Sequence, residues 1–491
     1  MTTSGLLAAL IAGSFFSVNV GPGVTSLDVR TPPAIERTVS ADSLLPETAW
    51  WTLFDDPVLD ACVERAFQRN ADLDMALARV EQARAVLGET KSYQSPTLDL
   101  QASTARGRVV GPSNGVASDT ERDANLLVGS VSYEADLFGR LKKGTAAARS
   151  DWLASQAARD NVRLVLAADV ARSYFNLRCV DEQLVILRET LGADRETLAI
   201  LKQRFDLGKD NELNYQRFLG ETASVEKMVR EHEMALSQNE TALLVLLGAD
   251  PVEMVSVLEH GPISLDRSPT LPEVPVGLPA QVLNRRPDLM QAGHEYVAAV
   301  ARIGKAEAER YPTLSLGGLL GNASGPLDEL FSGPTGWNLA AQIVAPIFDA
   351  GRRKSRVQQA EAKAWEARAN YEQTARTAFQ EIIDALVSRE KLGSQAEQIG
   401  IMMDAQSKTY ALATQQFEGG KATQLDVLDA HRNLLQVRLD GAGNRRDQLN
   451  AAVNLCLSLG GGWNVLGTDD LQEKQKLKRY LQEIRDTHGN E

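Results

Sequence analysis

Aromatic side chains are scarce in this chain, at 5% of 491 residues, and no apolar run is long enough to cross a bilayer as a helix. A spanning helix needs roughly 20 consecutive apolar residues, so this class of membrane protein is excluded. Lysine and arginine number 52 against 65 aspartate and glutamate residues, and they form no basic cluster. Nucleic acid is therefore disfavoured as a partner.

Cysteine and histidine, the common ligands of transition metals, are also rare. The three cysteines are an odd number without ligand-like spacing and the five histidines are scattered, so we expect neither a disulfide nor a metal site. No phosphate-binding loop, nucleophile elbow or acid–base pair of carboxylates is recognisable, which indicates that the chain is not an enzyme and has no cofactor. The cysteines are Cys62, Cys179 and Cys456, and the histidines are His232, His260, His294, His431 and His488.

A short apolar stretch at residues 6–16 has the length of a signal-peptide core, although residues 1–5 contain no lysine or arginine. We therefore predict a signal segment over 1–20 and export of the chain. Residues 11–14 have the shape of a lipoprotein signal, or match it by chance, but Ser14 stands where the acylated cysteine belongs. Acylation needs a thiol, so no lipidation is expected at Ser14.

One segment of the chain returns about 212 positions later. The sequence QRFDLGK at 203–209 recurs as QQFEGGK at 415–421, and Leu213 falls on Leu425 with the same shift. The period far exceeds the 20 to 50 residues of solenoid repeats, so each copy must contain several elements. The predicted organisation is a signal segment at 1–20, a Pro-rich leader at 21–55, a first repeat at 56–248, a linker at 249–279, a second repeat at 280–462 and a tail at 463–491.

The longest predicted elements are two helices, one in each repeat. No proline occurs from Arg140 to Leu207, and apolar residues recur there at spacings of three, four and seven. At about 1.5 Å per residue, such a helix is roughly 100 Å long. The second copy repeats it from Arg352 to Glu418, and the spacing predicts coiled-coil packing against a shorter return helix in each repeat.

Each repeat also contains two segments in which apolar and polar residues alternate. One apolar and one polar face is the pattern of membrane-spanning barrel strands, although half-exposed strands of a soluble sheet look the same. Each pair of strands is joined by a polar or Gly-rich loop. The predicted strands lie at 96–110, 124–138, 311–322 and 336–348, and the loops at 111–123 and 323–336.

Aromatic residues lie near the predicted strand ends, where amphipathic rings suit a membrane interface. Four strands cannot close a membrane barrel, and open sheet edges are not tolerated in lipid. If the strands span a membrane, several chains must share one barrel, and three chains supply twelve strands. The aromatic residues are Tyr133, Tyr311, Trp337 and Phe348.

Six motifs occur along the chain in the same order as in the TolC family of outer-membrane efflux channels. The chain therefore resembles this family, and most closely its OprM and NodT-type multidrug branch. The motifs cover the chain from Trp50 to Trp463, so the resemblance is specific as a fold assignment. They are WWTLFDDP at 50–57, DLFGR at 136–140, QVLNRRPD at 281–288, FQEIID at 379–384, LDAHR at 428–432 and LGGGW at 459–463.

The resemblance implies a mainly α fold with a β-barrel portion. In this family a homotrimer forms a twelve-stranded barrel in the Gram-negative outer membrane and a coiled-coil α-helical barrel in the periplasm. Such a duct passively receives drugs or other small molecules from a membrane-fusion adaptor and, in this branch, a resistance-nodulation-division (RND) transporter of the inner membrane. A type I protein-secretion duct and a structural periplasmic coiled-coil protein are the alternatives. The second does not explain the four amphipathic strands.

Two carboxylates follow the second glycine–lysine turn, and the resemblance places the periplasmic gate there. Asp426 and Asp429 are three residues apart and share a helix face. In a trimer they would form two rings of like charge that attract cations, with Leu425 adding an apolar constriction. Alternatively, Asp426 serves only the helix N-terminus behind Thr423, and Asp429 lies on a solvated face.

The differences between the two copies favour a role for these carboxylates, because the first copy has Asn214 and Arg217 at the equivalent positions. The tyrosine and arginine that lock the gate in some family members are replaced here by Phe417 and Ala422. We therefore expect closure to depend on packing around Leu425.

The two turns themselves contain Gly208 with Lys209 and Gly420 with Lys421. Glycine there suits the left-handed position that ends a helix. The resemblance adds that these tips meet the helical hairpins of the adaptor.

Overall fold

The structure is a computed structural model. It describes residues 21–22, 49–113, 116–209, 211–253, 271–272, 285–332 and 335–461, and for residues 108–122 only the backbone. The predicted signal segment with Ser14, most of the predicted linker and the whole predicted tail lie outside these residues.

Helices make up most of the described chain, and the lengths of the long and return helices match between the two copies of the duplicated sequence. The two longest helices have 67 residues each and are followed by return helices of 35 residues each. The long helices begin and end at the bounds expected from the sequence, to within one residue. The helices are α1 Pro57–Arg69, α2 Ala71–Ser92, α3 Arg140–Asp206, α4 Glu212–Leu246, α5 Pro287–Ala308, α6 Arg352–Glu418 and α7 Gln424–Ser458.

None of the helices in the described part of the chain combines the length and the apolar character needed to cross a membrane.

Four strands form one antiparallel sheet in the order β1-β2-β3-β4. The loop expected at residues 111–123 is wrong, because β1 and β2 continue through it as a paired hairpin from Thr97↔Ser132 to Ser113↔Val116. Backbone pairing does not need apolar side chains, and Pro112 is tolerated because β1 is an edge strand. The strands are β1 Thr97–Ser113, β2 Val116–Ala135, β3 Thr313–Ser324 and β4 Gly336–Val344.

The register of the sheet gathers apolar side chains on one face. Leu98 pairs with Val131, Val131 with Gly318, and Gly318 with Leu339, and the next row of the same face contains Leu100, Gly129, Leu320 and Trp337. The row between these two on the opposite face contains Asp99, Ser130, Leu319 and Asn338, of which three are polar. Leu98 is 78% exposed and Leu339 is 72% exposed, so this apolar face has no cover within the described chain.

The chain divides into two compact units, and each takes segments from both halves of the sequence. Of the described residues, the sheet-bearing unit comprises 21–22, 79–113, 116–156, 291–332 and 335–372, and the helical unit comprises 49–78, 157–209, 211–253, 271–272, 285–290 and 373–461.

The core of the sheet-bearing unit packs α5 against α6 through Tyr296, Val300 and Ala364. Its strand–helix junction is fixed by polar contacts, because the Asp136 carboxylate accepts a hydrogen bond from the Lys142 N–H at 2.8 Å at the start of α3.

The core of the helical unit follows the predicted coiled-coil spacing. Tyr174, Leu184 and Leu187 of α3 are almost fully buried and belong to the same cluster as apolar residues of α4 and α7. The Tyr174 hydroxyl donates to the Asp56 carboxylate at 2.7 Å, which ties α3 to the N-cap of α1. A smaller cluster of Leu201, Phe218 and Leu428 places the C-terminal end of α3 beside the N-terminal ends of α4 and α7.

Candidate functional site

The two glycine–lysine turns end α3 and α6 with the same backbone geometry. Gly208 and Gly420 have φ of 66° and 71°, in the left-handed region. The Lys421 N–H donates to the Gln416 carbonyl at 2.8 Å and the Gly420 N–H to the Phe417 carbonyl at 3.0 Å, and the first turn has the matching pair of bonds. This is the Schellman arrangement that satisfies the last carbonyls of a helix. Both lysines are exposed.

Helix α7 begins immediately after the second turn with a complete capping box. Thr423 is the N-cap, and its side chain and backbone exchange hydrogen bonds with Asp426 at the N3 position. Helix α4 begins at the equivalent point with Asn211 as N-cap, whose side chain accepts a bond from the Leu213 N–H. The cap expected from the sequence at Thr423 is therefore present, and only the second copy places a carboxylate in it.

The three predicted gate residues lie on one exposed side of α7. Leu425 is 42% exposed, and Asp426 and Asp429 are exposed as well. The opposite side of the helix packs inward through Leu428, which contacts Leu201 of α3 and Phe218 of α4. Hydrogen bonds from the Thr423 hydroxyl and backbone N–H hold the pKa of Asp426 below its usual range.

Sequence reasoning missed a polar cluster on the inward side of α7. His431 Nε2 lies 3.3 Å from Asp194 Oδ1 of α3, and Arg432 Nε donates to Glu221 Oε2 of α4 at 2.6 Å. The ring of Tyr410 in α6 lies 5.5 Å from the His431 imidazole. The partners are more than 200 residues apart along the chain, so the sequence carries no signal that pairs them. The only local sign was His431 and Arg432 standing together in the LDAHR motif.

The predicted interface aromatics lie around the ends of the sheet. Trp337 is the second residue of β4 and is 74% exposed, whereas Phe348 follows the end of that strand. Tyr311 precedes β3 and stacks on Phe138 with ring centroids 4.7 Å apart. Tyr133 is half-buried two residues before the end of β2.

Within the ranges that the structure describes, no group of three or more His, Cys, Asp or Glu residues is arranged to hold a metal ion. Burial raises the pKa of the Cys456 thiol to about 12 and of the Cys179 thiol to about 11. Both cysteines behave as small packed residues.

The described chain combines an exposed apolar sheet face, two helices of 67 residues and an exposed acidic stripe at the start of α7, a combination compatible with a membrane channel. The sequence model of the family described as "Outer membrane efflux protein" matches residues 62–249 and 278–461. The chain therefore belongs to the outer membrane efflux protein family.

Individual relatives agree with this assignment. The chain is 34% identical to the solvent efflux pump outer membrane protein SrpC of Pseudomonas putida, over 84% of this chain and 87% of that protein. It is 33% identical to the cation efflux system protein CusC of Escherichia coli, over 87% and 90%. The crystal structure of the CmeC outer membrane channel of Campylobacter jejuni is similar, with a TM-score of 0.86, 25% identity and coverage of 93% and 98%.

The TolC-like fold predicted from the six motifs is thereby confirmed, as is the function as an outer-membrane exit duct of a tripartite efflux system. The chain is a transport duct of the Gram-negative outer membrane and is not an enzyme. Channels of this family work with a periplasmic adaptor and an inner-membrane transporter.

Proposed function

We propose that the chain works as a homotrimeric duct for an RND-type transporter, and that Leu425, Asp426 and Asp429 form its periplasmic gate. The observation that carries this proposal is the exposed stripe of these three residues at the start of α7. The stripe follows a helical turn that both copies share, but the first copy lacks the carboxylates. General helix stability does not require such a difference between the copies.

The sheet supports a homotrimer. Strands β1 and β4 each have one neighbour in the described sheet, so both edges are available for pairing with another copy of the chain. Membrane barrels have at least about eight strands, which excludes closure by one chain. Three copies supply twelve strands and join β4 of each chain to β1 of the next.

The apolar face of the sheet faces outer-membrane lipid in this proposal, and Tyr133, Tyr311, Trp337 and Phe348 mark the interface. A pair of adjacent substitutions on opposite faces tests it. Leu339→Arg should reduce membrane assembly of the trimer, because an arginine on the lipid face costs about 2 to 4 kcal/mol near the midplane. Asn338→Arg should assemble normally. Equal yields of heat-modifiable trimer in outer-membrane fractions would contradict this orientation.

The gate acts electrostatically. In a trimer, Asp426 and Asp429 form two stacked rings of three carboxylates, which concentrate cations and repel anions. Leu425 on the same side adds an apolar ring that narrows the opening. Because Phe417 and Ala422 offer no hydroxyl or guanidinium, packing at Leu425 replaces a polar lock.

Planar bilayer recordings test the gate. Asp426→Ala combined with Asp429→Ala should raise conductance and reduce cation preference. Asp440→Ala is the matched control, because Asp440 is an exposed aspartate further along the same helix. If the double variant keeps both the conductance and the cation preference of the unmodified channel, the gate assignment is wrong.

The turns containing Gly208, Lys209, Gly420 and Lys421 are the proposed docking tips for the adaptor. Cysteines introduced at Lys209 and Lys421 should cross-link to the adaptor's helical hairpins. A cysteine at Lys227, whose side chain is 75% exposed on α4, is a control further from the turn. Cross-linking of equal yield at all three positions would count against docking at the tips.

The substrate class follows from the relatives and from the acidic stripe. SrpC is named for solvents and CusC for cations, and neutral or cationic small molecules pass a ring of carboxylates more readily than anions. We therefore propose neutral and cationic small molecules as the cargo. Drug and solvent susceptibility of a deletion strain, with each candidate pump restored in turn, tests this assignment.

A further inference from the structure

The contact between Asp194 and His431 is buried among four helices. The Asp194 side chain of α3 is 3% exposed and the His431 side chain of α7 is 12% exposed. Tyr410 of α6 covers the imidazole. The contact therefore lies between the start of α7 and the helices against which it packs.

Each partner also has a second polar atom without a hydrogen bond. Asp194 Oδ2 and His431 Nδ1 are both buried and have no hydrogen-bond partner among the described residues. A buried polar atom without a hydrogen-bond partner destabilises the packed state. The stabilising contact between Asp194 and His431 is thus opposed by the cost of these two unpaired atoms. The net stability of the pair depends on which of its atoms bind protons.

The charges around this contact determine the direction of the proton effect. The group that faces Asp194 from α4 is Glu221, which is paired with Arg432 of α7. Asp429 is the further charge near Arg432, and Tyr410 is the titratable group on α6. With a neutral imidazole and an ionised Asp194, the cluster of Asp194, Glu221 and Arg432 carries a net negative charge. One bound proton on the Asp194–His431 pair brings the net charge of these groups to zero.

We propose that Asp194 and His431 form a proton-sensitive latch, which holds the start of α7 against α3 when protonated and loosens when the proton is lost. The proton belongs to the pair, since coupled groups titrate together. The inference rests on the proposed function in one respect: the helix that the latch holds carries Leu425, Asp426 and Asp429. His431 lies only five residues after Asp426 on that helix.

The sign of the effect follows from the environment of Asp194. Burial raises the pKa of Asp194, the positive form of His431 opposes this, and Glu221 adds to it. A carboxyl with a raised pKa stabilises the packed state below its ordinary pKa, and that contribution is lost as pH rises through the raised value. Acidification therefore tightens the packing of α7, and alkalinisation loosens it.

Hydrogen exchange of the full-length channel measures the latch directly. The protection factor of the segment 424–440, relative to its unfolded rate at each pH, should fall about tenfold between pH 3 and pH 8 if the pKa of the pair differs by about one unit between the packed and the loosened states. Gating transitions in bilayers should become more frequent over the same range. His431→Gln and Asp194→Asn should each remove most of the pH dependence in both measurements.

His232→Gln is the matched control. His232 is a half-buried histidine of the same unit, but its ring bonds only the Met228 carbonyl within its own helix, at 2.9 Å. This variant should keep the pH dependence. Thermal unfolding and trimer mobility on gels show whether each variant folds.

Either of two results would overturn the latch: a protection factor that stays constant from pH 3 to pH 8 in the unmodified channel, or the same pH dependence in His431→Gln. The gate assignment fails separately, through unchanged conductance in the aspartate variants. In that case the exchange measurement still decides whether the latch exists.

Discussion

Thr423 and Asp426 bond each other in both directions at the start of α7. The Thr423 backbone N–H and hydroxyl each donate to Asp426 Oδ2 at 2.7 Å, and the Asp426 N–H donates to Thr423 Oγ1 at 3.4 Å. The carboxylate is thus part of the helix cap and exposed to solvent at the same time. Its capping role and a role in the gate are compatible.

This cap should extend the acid range over which Asp426 stays ionised. Because the bonds from Thr423 lower the pKa of Asp426, its charge is present above the ordinary carboxyl range and is lost only as pH falls through the lowered value. In an Asp429→Asn background, Thr423→Ala should shift the loss of cation preference to higher pH. Reversal potentials between roughly pH 3 and pH 6 measure the shift around the ordinary aspartate value.

Thr409→Ala is the control for that experiment, because the Thr409 hydroxyl bonds only the Ala405 carbonyl in its own helix, at 2.8 Å. Identical titration of cation preference in Thr423→Ala and Thr409→Ala would show that the cap does not tune Asp426.

Removal of the buried charge of Arg286 should strongly lower the stability of the helical unit. Arg286 is buried, donates to both carboxylate oxygens of Asp288 at 3.0 and 2.7 Å, and reaches the Ser458 carbonyl at 3.2 Å and Glu381 at 2.7 Å. Arg286→Ala leaves two carboxylates and a helix-end carbonyl without their partner. We expect the free energy of unfolding to fall by about 3 kcal/mol.

Urea unfolding in detergent measures this loss. Lys391→Ala removes the exposed ion pair of Lys391 with Glu390, in which both side chains are 70% exposed, and should leave the unfolding midpoint unchanged. Equal midpoints for the two variants would mean that burial at Arg286 contributes no extra stability.

The helical part of the fold could be predicted because its determinants are local. A proline-free stretch with heptad spacing defined α3 and α6 within a residue of their observed ends, and the repeated turn defined where they stop. The length of the β1–β2 hairpin could not be predicted in this way. Residues 111–123 contain Gly, Pro, Asp and Ser, which favour loops locally. Their strand structure depends instead on the pairing of β1 with β2 within the same chain.

The positions of Asp426 and Asp429 beside the second turn were predictable for a similar reason, since both residues follow the turn closely along the chain. The Asp194–His431 and Glu221–Arg432 contacts join helices that are far apart in sequence. No spacing or motif connects such residues, and only the packing of α3, α4 and α7 brings them together.

Gly420 should be needed for the turn, whereas its neighbour Gly419 should not. Gly420 has φ of 71°, where an L-residue with a Cβ costs about 1 to 2 kcal/mol. A Cβ on Gly419 would lie 3.5 Å from the Gln415 carbonyl oxygen, which is an ordinary contact. Gly420→Ala should therefore lower the hydrogen-exchange protection of residues 415–423, and Gly419→Ala should not. Equal protection in both variants would contradict the helix-end role of Gly420.

Gly321 should be essential for pairing β2 with β3, and Gly317 in the same strand provides its control. A Cβ on Gly321 would overlap the Leu127 carbonyl oxygen and lie 2.7 Å from the Val128 Cα, whereas a Cβ on Gly317 would lie 3.8 Å from the Val131 carbonyl oxygen. Backbone atoms of a paired strand cannot move aside without breaking the ladder, so Gly321→Ala should destabilise the sheet by about 1 to 3 kcal/mol. Both glycines lie on the same face of β3, so side-chain environment does not distinguish them. The yield of heat-modifiable trimer in outer membranes should fall for Gly321→Ala and stay normal for Gly317→Ala. Normal yields for both variants would show that β2 and β3 can move apart enough to accommodate a Cβ at position 321.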